Sequence, residues 1–135
     1  MLWYPRCVRK MHEMFTKCST ATTYANLVLE AALEAWRLNG KGVVVDSSIP
    51  GNGIFAKLIH PDDKSIEYCV EEDVDESTWE TLLSYTKPKF WTQRALVPLQ
   101  SLGQAHDFLR EGNFEIQGWW IGDEDNVLFG SVEVA

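Results

Sequence analysis

The chain has 135 residues, 45% apolar and 24% charged. That is enough for one hydrophobic core and too apolar for a disordered polymer. Twenty Asp and Glu against twelve Lys and Arg leave a net charge of −8. Such a surface repels phosphate backbones and anionic lipid, so neither nucleic acid nor membrane is expected as a partner. No apolar run approaches the roughly 18 residues that a membrane-spanning helix needs.

Arg6, Arg9, Lys10 and Lys17 against Glu13 make the first twenty residues net +3, leaving −11 for the other 115. Residues 1–20 read as a basic arm or helix that could dock on its own acidic body or on that of a second copy. All three methionines (Met1, Met11 and Met14) fall here, so any of them can be the natural start. The opening residues have no apolar signal region. Cys7, Cys18 and Cys69 are odd in number and form no CxxC pair. They read as reduced thiols, and the cytoplasm is the expected compartment.

In chain order, Thr22 or Thr23 caps a helix over about 22–39, with Leu27, Val28, Ala31 and Ala35 on its inner face. Leu29, Leu33 and Trp36 widen that face, and Asn39-Gly40 ends it. Val43-Val44-Val45 reads as a short buried strand. A β-hairpin over 54–71 follows, turning at Pro61-Asp62-Asp63. Setting His60 opposite Lys64 pairs Ile54 with Val70, Ala56 with Tyr68 and Leu58 with Ile66, so one face is wholly apolar. A slip of one residue would set Leu58 against Glu67. Ser77-x-x-Glu80 is a capping box for a helix over about 77–87, with Trp79, Leu82 and Leu83 inward. Residues 94–99 form a strand. Ser101-x-x-Gln104 opens a helix over about 101–111, and a second hairpin closes the chain over 114–134. With Ile121 opposite Val127, that hairpin pairs Trp120 with Leu128, Gly118 with Gly130, Ile116 with Val132 and Phe114 with Val134. The expectation is a single α+β domain over 1–135: an antiparallel or mixed sheet, built around the two hairpins and packed under the helices.

The closing strand–helix–strand–strand stretch, with Asp123-Glu124-Asp125-Asn126 at its turn, resembles half-modules of duplicated folds of the glyoxalase/bleomycin-resistance type. The resemblance is one of topology over the last third of the chain. It implies, as an alternative reading, a metal-dependent enzyme with ligands drawn from Glu67, Glu115, Glu133 and His60. The residues themselves supply no HxH, HxxxH, GxSxG, P-loop or HExxH motif, so no metal, cofactor or catalytic residue is assigned. Cys69 stands between Glu67 and Glu71, whose charges raise a thiol's pKa, and it reads as structural.

Two surfaces carry the functional expectation. Trp119 and Trp120 alternate across one strand. Trp119 then lies beside Phe129 on a second face, whose other end sets Glu115 by Glu133. Those carboxylates repel unless a cation such as Arg94 intervenes. Together with the side-chain gap at Gly118 and Gly130, this suggests a groove for a small cationic or aromatic ligand. It also suggests a homodimer that covers the aromatic patch. The second surface is acidic: Glu71, Glu72, Asp73, Asp75 and Glu76 form a docking run for a basic protein. The expected function is non-catalytic binding, as in small accessory proteins of mobile elements, ahead of enzymatic activity.

Overall fold

A computed structural model describes residues 2–3, 23–38, 42–46 and 52–135. Its elements are β1 (Leu2–Trp3), α1 (Thr23–Leu38), β2 (Val44–Asp46), β3 (Ile54–His60), β4 (Ser65–Val70), α2 (Glu76–Ser84), β5 (Thr92–Pro98), α3 (Leu102–Leu109), β6 (Phe114–Ile121) and β7 (Val127–Val134). The strands form one mixed sheet in the order β1-β7-β6-β5-β4-β3-β2. The α+β expectation holds. The expected basic arm lies outside the described residues, apart from Leu2 and Trp3, which pair with Phe129 and Leu128.

The centre of the sheet is parallel. β4 runs alongside β5, and β5 alongside β6. Each connection needs a crossover, and α2 and α3 supply them. These two helices share one face of the sheet, where Trp79 and Leu82 of α2 and Ala105 and Leu109 of α3 cover Ile66, Tyr68, Val70, Ala95, Val97, Phe114 and Ile116. The Trp79 indole N–H bridges the helices by donating to Gln104 Oε1 at 3.2 Å. On the other face, Leu27, Val28, Ala31 and Ala32 of α1 pack on Ala56, Leu58, Cys69, Leu96, Trp119, Val127 and Phe129. The molecule therefore has three layers, and both faces of the central strands are buried.

This two-sided cover overturns both expected hairpin registers. In the first hairpin only Ile54↔Val70 survives. A bulge between Ile54 and Ala56 then shifts the ladder, pairing Ala56 with Cys69, Lys57 with Tyr68, Leu58 with Glu67 and His60 with Ser65. The expected pairs Ala56–Tyr68 and Leu58–Ile66 are absent. The reason is that one apolar face was sought where there are two. The bulge sends Ile54 to the α2/α3 layer while Ala56 and Leu58 face α1. The second hairpin repeats the pattern. Trp119↔Phe129, Trp120↔Leu128 and Ile121↔Val127 form as expected, and beyond a bulge at Gly118 the pairs become Gln117↔Val132, Ile116↔Glu133 and Glu115↔Val134. Gly118 and Gly130 are not ladder partners, and neither are Ile116–Val132, Phe114–Val134 or Glu115–Glu133.

Smaller differences follow from local chemistry. β2 is the outer strand beside β3, so Val44 and Val45 are exposed rather than buried. The cap of α2 is Asp75, whose carboxylate accepts from the backbone N–H and hydroxyl of Ser77. An Asp two residues earlier thus takes the role expected of Ser77. That helix ends at Ser84, and its C-cap Tyr85 is extended. Ser101 makes no side-chain cap, because a 3-10 turn (Leu99–Ser101) leads into α3.

Candidate functional site

The parallel strands set the polarity of the molecule. The segments that follow β4, β5 and β6 share one end of the sheet, and those that precede them share the other. Adjacent strands are about 4.8 Å apart, so the exits of β4 and β6, on either side of β5, lie about 10 Å from each other. After β4 comes the run 71–76, with Glu72, Asp73, Asp75 and Glu76 exposed and Glu71 half-buried. After β6 comes the turn Asp123–Asp125. Eight carboxylates separated by some fifty residues of sequence are thereby gathered at one end, and neither segment contains a Lys or Arg. Between them the chain leaves β5 at Leu99, which is 49% exposed.

Part of this acidity is structural. Asp75 is the cap of α2, and the hydrogen bond from the Ser77 hydroxyl, ahead of those from nearby backbone N–H groups, holds its carboxyl below the usual range. Glu76 occupies the first turn of α2, where the helix dipole favours negative charge. Glu71 uses its backbone, donating its N–H to the Gly53 carbonyl at 2.7 Å. The side chains of Glu71, Glu72 and Asp73 have no such local explanation.

A second charged group was not read from the sequence as a unit. On the α1 face, Leu58, Glu67, Arg94 and Glu115 occupy one row across β3, β4, β5 and β6. Glu67 is 3% exposed. His60 Nε2 lies 2.7 Å from Glu67 Oε1, Arg94 Nη1 donates to Glu67 Oε2 at 3.1 Å, and Arg94 Nη2 donates to Glu115 Oε1 at 3.1 Å. One guanidinium thus bridges two carboxylates and satisfies a buried one. The signal was a polar residue at every second position of neighbouring strands, but only the parallel β4–β5–β6 order aligns them. Arg94 does supply the cation expected near Glu115. The carboxylate it links to Glu115 is Glu67, since Glu133 points to the other face and meets His106 at 3.2 Å.

The metal reading fits poorly with this geometry. A guanidinium sits between Glu67 and Glu115, and Glu133 lies across the sheet. Among the described residues no group of three or more His, Cys, Asp or Glu is placed to hold a metal ion. Cys69 is fully buried and free. Burial, and then the charge of Glu67, push its thiol well above the ordinary cysteine range.

The expected aromatic groove is filled by the protein itself. Trp119 is 3% exposed, Phe129 is buried beside it, and both pack under α1. The Trp119 indole N–H donates to the Val70 carbonyl at 3.3 Å. A symmetric dimer formed to cover this patch is therefore not needed. Trp120 lies on the opposite face and is half-buried. The space at Gly118 is taken by Leu99 and Leu102, whose side chains would lie 3.4 and 3.7 Å from an added Cβ. At Gly130 an added Cβ would stand 3.7 Å from the Trp120 ring and 3.8 Å from the Gly118 carbonyl. The glycines mark a bulge in the ladder more than the floor of a pocket. Glu115 and Glu133 do not share a floor either.

No family model, curated protein or solved structure matches this chain in comparisons with known proteins. Among the described residues no helix is long and apolar enough to cross a membrane.

Proposed function

We propose that the chain is a non-catalytic binding protein whose acidic end docks a basic protein. The observation that carries this reading is the gathering of 71–76 and Asp123–Asp125 at the exits of neighbouring parallel strands. Loops at the carboxyl ends of parallel strands are the common place for recognition in such sheets. A field of one sign there speeds the approach of a cationic surface and falls away as salt is added. The alternative ligand, a small cation or aromatic in a tryptophan groove, loses support because Trp119 and Phe129 are packed under α1.

The experiment replaces Glu71, Glu72 and Asp73 together by Ser, leaving the Asp75 cap in place. Parent and variant of equal melting temperature are immobilised, and basic proteins retained at low salt are purified and titrated against each. The expected result is an affinity at least tenfold weaker for the variant, with a shallower salt dependence. A parent that retains no basic protein, or a variant that binds as tightly, overturns the reading.

A further inference from the structure

β7 is the last long strand on its side of the sheet, and only part of its outer edge is used. Its neighbour β1 pairs with Leu128 and Phe129 alone. Past the bulge, residues 131–134 have no strand beside them among the described residues, and all four are exposed. The ladder to β6 fixes which main-chain groups this edge presents. Ala135 donates its N–H to the Phe114 carbonyl at 3.0 Å, so Ala135 and, two residues back, Glu133 turn their N–H and C=O groups inward. Bonded and non-bonded positions alternate in an antiparallel pair. Val132 and Val134, opposite Gln117 and Glu115, therefore turn theirs outward. Two donors and two acceptors stand in a row at an open edge, at the spacing that another extended chain matches.

The side chains specify what that chain carries. Val132 is 40% exposed and Val134 77%, and both lie on the α1 face with Gln117 and Glu115. Glu133 stands between them on the other face. Its Oε1 lies 3.2 Å from His106 Nε2, and its side chain is 44% exposed. Residues directly opposite across two strands favour apolar against β-branched and cation against anion. The complementary strand thus alternates apolar, basic, apolar. A second copy does not meet this demand. Paired antiparallel about Glu133, two copies set that carboxylate against itself. Paired about Val132, they bring Ala135 of the copy against Phe129, where Leu2 already pairs. We infer that the edge at Val132–Val134 takes up an extended segment of another protein, with a Lys or Arg facing Glu133 between two β-branched residues. This surface is separate from the acidic end: β7 starts at Val127, beside the Asp123–Asp125 turn, and reaches Val134 about 20 Å away.

Amide hydrogen exchange of the full chain, read residue by residue, tests this with the capped peptide Thr-Val-Lys-Val-Thr titrated into the millimolar range. The Val132 and Val134 amides are expected to exchange more slowly by about fivefold or more, while that of Glu133, already turned to β6, keeps its rate. Val134→Pro removes only an outward N–H, so it should melt close to the parent and lose the protection at Val132. Glu133→Lys should reverse the preference, so that a peptide with Glu at its centre binds about fivefold more tightly than the one with Lys. Replacing Glu71, Glu72 and Asp73 by Ser should leave the protection in place. Absence of the alternating protection overturns the inference, as does an undiminished effect in Val134→Pro or an unchanged preference in Glu133→Lys. Protection that grows with protein concentration without peptide overturns it too, because a second copy is then the occupant. A peptide effect abolished by the Ser replacements is cation binding at the acidic end, in which case strand addition fails and the docking function stands.

Discussion

Removing Arg94 should be costly only while Glu67 remains. The Glu67 side chain is 4% exposed and that of Arg94 24%, so the two partners are not equivalent. Arg94→Met leaves a buried carboxylate without its guanidinium partner, a situation that destabilises by about 3–5 kcal/mol. The partial exposure of Arg94 lets water reach the vacated position, which argues for the lower end of that range. Glu115 also loses a partner, but its side chain is 34% exposed and water can replace the bond. Glu67→Leu removes the buried charge and leaves His60 Nε2 to be satisfied, for about 1–2 kcal/mol. In that background Arg94→Met should add less than about 1 kcal/mol, because no buried anion is left behind. The coupling between the two sites is then about 2–3 kcal/mol. Urea unfolding of the four proteins at neutral pH measures it, provided the slope with urea is unchanged and the midpoint alone moves. Equal Arg94→Met penalties in both backgrounds would refute the claim that the guanidinium exists to satisfy Glu67.

Trp119→Ala should cost about 3–5 kcal/mol by thermal or urea unfolding, as for any large core residue, whereas a surface aromatic would cost little. Gly130→Ala is expected to be neutral or to stabilise by up to about 1 kcal/mol, since the added methyl meets only ordinary contacts. Gly112→Ala should destabilise instead, because its Cβ would lie 2.7 Å from Leu83 and 2.9 Å from Phe114. Tyr68 is fully buried, its hydroxyl has no hydrogen-bond partner among the described residues, and burial followed by the neighbouring Tyr85 pushes its pKa from 10.0 up to about 12. The unfolded phenol ionises first, so its contribution is complete below pH 10 and declines as pH rises towards 12, by roughly 2–3 kcal/mol. Tyr68→Phe should therefore flatten the alkaline stability curve without loss at neutral pH, and an unchanged curve would contradict this. Cys69 should resist thiol reagents in the folded protein when Cys7 and Cys18 are replaced by Ser, and should react only on unfolding.

The order and class of the elements were legible locally. The helices announce themselves through period and caps, and the hairpins through two strongly patterned runs at short separation. At the second hairpin the tip pairs Trp119–Phe129 and Ile121–Val127 also followed from sequence, whereas at the first the turn takes in Lys64, with φ +53°, and the tip pair becomes His60–Ser65. The acidic run is plain to read, and so is the inert character of Cys69. Register also depends on what covers each face. Alternation assumes one buried face, yet α1 buries Ala56, Leu58, Cys69 and Trp119 while α2 and α3 bury Ile54, Tyr68 and Phe114. A bulge in each hairpin reconciles the two layers, and no local pattern demands either. The long-range order of the strands decided the rest. Only the parallel β4–β5–β6 arrangement sets Arg94 between Glu67 and Glu115 and brings 71–76 beside Asp123–Asp125. Crossovers through helices join residues far apart in sequence, so the charge pattern at each end of the sheet exists only once the chain has folded.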